Sequence, residues 1–132
     1  MSELKLKIVT PNRVFFDDEI EMLIARGVNG DFAILKNHAP FVTVLDIRKI
    51  KVKQNGEFRI AAIAGGYLIV RDNQIVIMSD ACEWADEIDV NRAKLAMERA
   101  EKRLKSGAEK DTTKAEIALK KAINRLDVHD NK

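Results

Sequence analysis

The sequence predicts a mainly β protein with a helical end: an N-terminal β-sandwich of about ten short strands, then a C-terminal antiparallel two-helix hairpin. Three observations carry this expectation. Apolar residues recur with period two as far as Trp84, turn-forming residues interrupt that stretch repeatedly, and beyond Trp84 the apolar spacing changes to three and four. The change of period divides the chain into a strand domain, 1–84, and a helical domain, 85–132.

In chain order, Leu4, Leu6 and Ile8 alternate with Lys5 and Lys7, which gives a first strand with one buried face, ended by Pro11-Asn12. Ile20, Met22 and Ile24 alternate with Glu21, Leu23 and Ala25 in a further strand, closed by the glycine-bounded segment 27–30. Ile50 and Val52 alternate with Lys49, Lys51 and Lys53, and Gln54-Asn55-Gly56-Glu57 separates them from a return run, 58–63. Asn-Gly between two such runs signals a tight hairpin. The runs 67–70 and 75–78 flank Arg71-Asp72-Asn73-Gln74 in the same manner. Gly65-Gly66 reads as a turn or a point of close packing.

Ala93, Ala96, Met97, Ala100 and Leu104 then define an amphipathic helix over 89–105, with Asp86 or Asp89 placed to cap its exposed amides and Ser106-Gly107 placed to end it. A polar connection, 106–112, leads to a second stripe of Ala115, Ala118, Leu119, Ala122, Ile123 and Leu126. A connection that short joins antiparallel neighbours. Alanine at most facing positions lets the two backbones approach but buries little area, and at about 25 cal/mol per Å2 the contact is weak. Such a helix pair is built for marginal docking.

Composition bounds the function. With 46% hydrophobic and 33% charged residues in 132, the chain has the material for a buried core and a solvated surface. The single cysteine, Cys82, has no internal disulfide partner, and the first residues alternate Lys with apolar side chains where a secretory signal would be continuously apolar. A cytoplasmic protein is expected, with no apolar run near the roughly 20 residues that span a bilayer. The net charge of +2 hides an asymmetry: 1–85 holds eleven basic and eleven acidic side chains, whereas 92–125 holds eleven basic against five acidic. A basic segment favours an acidic partner, whether protein, phosphate or nucleic acid. Catalysis is not expected. His38 and His129 are the only histidines, Cys82 has no local activating partner, and there is no Gly-x-x-x-x-Gly-Lys-Ser/Thr phosphate loop, so no catalytic residue, catalytic cofactor or metal site is assigned.

Several strings in a fixed order resemble the epsilon subunit of bacterial F-type ATP synthases over nearly the whole chain: Val9-Thr10-Pro11, Asp17-Asp18-Glu19 before 20–25, Ala64-Gly65-Gly66-Tyr67, Ala115-Glu116-Ile117-Ala118-Leu119, and Asn124-Arg125-Leu126. The resemblance implies a non-catalytic subunit of the central stalk. Its sandwich would bind the gamma shaft and the c-ring of the membrane sector, and its helices would inhibit ATP hydrolysis by contact with the alpha and beta subunits. It also implies peripheral attachment to the cytoplasmic side of the cell membrane through the complex alone. The family's Gly-x-x-Gly-Ile-Leu-Pro-Gly-His-x-Pro loop is matched by 30–40, with Ala33 for the second glycine and Lys36-Asn37 for Pro-Gly. Leu35, Lys36, Asn37 and His38 are thereby candidate c-ring contacts, beside the plainer reading of His38 as a loop histidine satisfied by backbone groups.

Ile88-Asp89-Val90-Asn91-Arg92-Ala93 is similar to the Ile/Leu-Asp-x-x-Arg-Ala motif of epsilon subunits that bind ATP as a regulatory ligand. The resemblance makes Glu83, Ile88, Asp89, Arg92, Ala93, Arg99 and Arg125 the candidate nucleotide site. Arg92 and Arg99 lie two turns apart on one helix face, and each guanidinium can fork onto phosphate oxygens. A helix cap at Asp89 beside a solvated arginine face stands as the alternative, and Lys121 replaces an arginine usual in ATP-binding members. On the second helix Lys110, Lys114, Lys121 and Arg125, spaced by four, seven and four, form a basic stripe. The resemblance directs that stripe to an acidic segment of the beta subunit. Two rival classes remain: a nucleic-acid-binding module, weakened by Glu98, Glu101 and Glu116 among the basic residues and by helices without aromatics, and a free-standing ATP sensor.

Overall fold

The computed structural model describes residues 3–106 and 112–131. Among these, β1 (Lys5–Val9), β2 (Val14–Glu19), β3 (Met22–Gly27), β4 (Gly30–Leu35), β5 (Phe41–Gln54), β6 (Glu57–Arg71), β7 (Gln74–Met78) and β8 (Cys82–Trp84) are followed by a 3-10 turn, Ala85–Glu87, and the helices α1 (Val90–Lys105) and α2 (Thr112–Asp130). The strands hydrogen-bond in the order β2-β1-β7-β6-β5-β3-β4, with β8 on β6, and β1 runs parallel to β7 while the other pairs are antiparallel.

The eight strands make two layers because β5 and β6 are long enough to serve both. The first half of β5 pairs with the second half of β6, from Phe41 opposite Val70 to Leu45 opposite Gly66, and that part of β6 carries β7. The remaining halves, from Ile47 opposite Ala64 to Gln54 opposite Glu57, carry β3 and β8. Counting each half as a strand recovers the expected ten. Gly65-Gly66 is therefore no turn between strands but the bend inside β6. Gly66 has φ 116°, and a Cβ on it would lie 2.1 Å from Met78 O, so close packing of β6 on β7 is what requires glycine. The two-residue hairpin turns after β5 and β6 have positive φ at both central residues, Asn55-Gly56 at 52° and 78° and Asp72-Asn73 at 51° and 61°. That is the geometry whose twist matches flanking strands.

Period two fixes the core. Leu4, Leu6, Ile8, Leu68, Val70, Ile75 and Ile77 from one layer meet Leu23, Ile34, Ile50, Val52, Ala61 and Ile63 from the other, all buried. In β3 the inward set is Leu23 and Ala25, while Met22 and Ile24 take the opposite, half-buried face.

The helices form a hairpin on this sandwich. Asp89 is the cap, its Oδ1 accepting from Arg92 N at 3.1 Å. Ala93, Ala100, Ala115 and Ala122 are buried where α1 meets α2, as the alanine stripe predicts. Ile123, expected on that stripe, is instead half exposed. The reason lies next to it: α2 must face the strands as well as α1, and Asn124 and Val128 take that second face. Val128 packs with Ile60, Ala62, Ala85 and Ile88, and Asn124 Nδ2 donates to Arg48 O at 3.0 Å and Ile63 O at 3.4 Å. Docking thus combines a small apolar cluster with one buried amide.

Candidate functional site

Where α1, α2 and the sandwich converge there is a cleft of about 750 Å3, and Glu83, Asp89, Arg92, Ala93, Arg99 and Arg125 all line it. Six of the seven residues expected at the nucleotide site are thus brought together. Ile88, the seventh, is buried beneath with Ala85 and Val128, where it fixes the start of α1 against the sandwich.

Each functional group has a local cause. Glu83 lies in β8, paired to Ala62 of β6, and its Oε1 accepts from Arg125 Nε at 2.7 Å. This ion pair, about two-thirds buried on both sides, joins α2 to the strands. Arg92 and Arg99 extend from α1 with no ion-pair partner among the described residues. Asp89 has one carboxylate oxygen committed to the α1 cap. The cap reading of Asp89 and its place in the cleft are both realised.

Among the lining residues that sequence reasoning missed are two charged side chains that pair with each other. Arg13 enters from the turn between β1 and β2, and Glu87 from the 3-10 turn before α1. Arg13 Nη2 lies 3.2 Å from Glu87 Oε2 and 3.4 Å from Oε1, and Trp84 N donates to the same Oε1 at 3.1 Å. No local pattern joins residues 74 apart; only Thr10-Pro11-Asn12, a turn signal, marked the place. Cys82 also borders the cleft, its pKa pushed up to about 12 by burial, with neighbouring Glu83 and Glu87 adding to the rise and Arg13 opposing it.

The loop 36–40 lies elsewhere. Lys5 N, at the start of β1, donates to Asn73 O, and Asn73 is tied to that loop by reciprocal amides: Asn37 N donates to Asn73 Oδ1 at 2.6 Å and Asn73 Nδ2 to Asn37 Oδ1 at 3.3 Å. The Arg13 turn follows the other end of β1, so loop and cleft are separated by roughly 17 Å of strand at about 3.4 Å per residue. Leu35 and Lys36 are exposed, Asn37 has φ 67°, and Lys36 Nζ is 3.9 Å from Glu3. His38 Nδ1 donates to Ala39 O at 2.7 Å and its ring stands 5.8 Å from that of Phe41. Of the basic stripe, Lys114 is exposed, Lys121 and Arg125 border the sandwich, and Lys110 lies outside the described residues.

Two family models match the chain: the ATP synthase Delta/Epsilon chain beta-sandwich domain over residues 3–85 and the ATP synthase Delta/Epsilon chain long alpha-helix domain over residues 86–130. The ATP synthase epsilon chain of Alkaliphilus metalliredigens is 50% identical over 132 residues, covering 99% of this chain and 98% of that one. The chain belongs to the ATP synthase epsilon chain family. Another bacterial member of the family, from Desulforamulus reducens, is 49% identical over 123 residues, covering 92% of this chain and 93% of its own length. The family fold recurs in a chain of the Euglena gracilis mitochondrial ATP synthase cryo-EM structure (OSCP/F1/c-ring, rotational state 1), with TM-score 0.81 at 21% identity over 94% of this chain and 79% of that one. No helix among the described residues of this family member is long and apolar enough to cross a membrane.

Proposed function

We propose that this epsilon-family chain is a non-catalytic rotor subunit of the central stalk, whose sandwich holds the gamma shaft and the c-ring and whose hairpin restrains ATP hydrolysis when it leaves the sandwich. Membership of the epsilon family gives the frame. The observation that carries the regulatory part is the docking itself: two helices sealed by alanines, held to the strands by one small apolar cluster, the Asn124 amide and the Arg125–Glu83 pair. So few contacts permit release at modest cost. Once released, Lys114, Lys121 and Arg125 are free to face an acidic segment of a beta subunit.

Nucleotide is the ligand that holds the docked form. The donor set fits a polyphosphate: guanidiniums from α1 and α2 line one cleft whose volume is in the usual range of small-molecule sites, about 300–1,000 Å3. Arg92 and Arg99 are ready to receive phosphate oxygens. A ligand that binds the docked state and no other stabilises it by mass action. Attachment to the cytoplasmic face of the membrane is through the complex.

The test is truncation after Asp86 in the assembled complex. Gamma co-purification should persist and ATP hydrolysis should rise above that of the full-length assembly. Loss of assembly would show that the hairpin is a structural part, and unchanged hydrolysis would remove its restraining role.

A further inference from the structure

We infer that Arg13 is a phosphate-binding residue of the cleft, contributed by the sandwich, and that it is held in reserve by Glu87 until an anion takes it over. This rests on the nucleotide reading above and names a residue outside the α1 motif.

The turn that carries Arg13 is fixed at both ends. Thr10 N and Thr10 Oγ1 both donate to Arg13 O, at 2.9 and 3.1 Å, closing the four-residue turn around Pro11-Asn12. The guanidinium carbon stands 5.0 Å above the Phe15 ring, so the side chain is propped toward the cleft it lines with Arg92, Arg99 and Arg125. Its partner Glu87 is a carboxylate, and the pair is about half exposed, which makes it exchangeable: exposed ion pairs gain little over hydration, and a doubly charged phosphate offers a stronger acceptor.

The geometry also explains why the ligand would favour docking. Arg92 and Arg99 belong to α1 and Arg125 to α2, so they could hold a phosphate without the strands. Arg13 is the guanidinium that the sandwich supplies. A phosphate shared between it and the helical arginines links the two domains.

Titration of ATP into the full-length chain by calorimetry tests this. Arg13→Ala should weaken ATP binding about tenfold or more, as expected for one charge-assisted bond, and Arg13→Lys should fall between it and the parent because the fork is lost but the charge kept. Glu87→Gln should tighten binding, and that gain should shrink in the Arg13→Ala background. A merely structural pair predicts that breaking it from either side weakens binding alike, so opposite signs support the inference and like signs overturn it. An equal gain from Glu87→Gln with and without Arg13 also overturns it, because Glu87 would then act through repulsion alone. If the parent binds ATP and both Arg13 variants bind as tightly, the Arg13 assignment falls and the nucleotide reading stands. If the parent gives no binding at millimolar ATP, the nucleotide reading falls and takes this inference with it.

Discussion

Cys82 shows how one residue responds to its place at the junction. It opens β8, is buried, and its thiol pKa is pushed from 9.0 up to about 12, burial outweighing the opposing field of Arg13. In the unfolded chain the thiol releases its proton near 9, whereas the folded thiol keeps it. The folded state therefore binds more protons above pH 9, and the contribution to stability, complete below that pH, is lost as the pH rises toward about 12. Urea unfolding at pH 8, 9, 10 and 11 should show stability falling more steeply for the parent than for Cys82→Ala. Absolute stabilities will differ because of the cavity left by the substitution, so the slopes are what matter. Parallel slopes would mean that the thiol is not the group responsible.

At the scale of elements, α2 is registered on the sandwich by Asn124, whose amide alone satisfies carbonyls of both β5 and β6. Asn124→Ala should weaken docking by about 1–3 kcal/mol, and Asn124→Asp by more, since a carboxylate cannot donate to either carbonyl. Amide exchange should quicken along α2 and stay slow in β1 and β7. Equal protection of α2 in all three proteins would place the docking energy in the alanine contact instead. The sequence revealed the helix pair and missed its mode of docking, and the reason is physical. The Ala93 and Ala100 spacing and the Asn55-Gly56 turn are local patterns, set within a few residues. Ile123 was expected on the apolar stripe because a stripe records only one face, whereas α2 meets two neighbours. The continuity of β5 and β6 was hidden for a similar reason: Gly65-Gly66 carries the same local signal whether it ends a strand or bends one. In the cleft, the α1 motif was legible, but the pairing of Arg13 with Glu87 exists only after strands and helices have come together.

For the whole molecule, the outer face of the β5–β6–β7 layer is the largest unexplained exposure: Val42, Val44, Tyr67, Ile69 and Met78 all stand out toward solvent, Val42 at 69%. Val42 pairs with Ile69, Val44 with Tyr67, and Tyr67 with Met78, so these side chains adjoin on one face. A contiguous exposed apolar face of this kind marks a binding surface, and on the proposed function the gamma shaft covers it. Val44→Lys combined with Tyr67→Glu should abolish co-purification with gamma while leaving the thermal unfolding of the isolated chain within about 1 kcal/mol, the usual range for exposed positions. Retained co-purification would move the shaft contact elsewhere. The long β5–β6 hairpin also has a mechanical meaning. Its first strand begins at Phe41, immediately after the loop 36–40, and both carbonyls that receive Asn124 lie within the same two strands. On the proposed function, a torque applied to that loop would travel toward the seat of the helix hairpin through the β5–β6 ladder, whose pairing skips from Leu45 and Gly66 to Ile47 and Ala64 on the way. On that reading the double-glycine bend, with φ 73° and 116°, stands between the point of loading and the carbonyls that hold the helices.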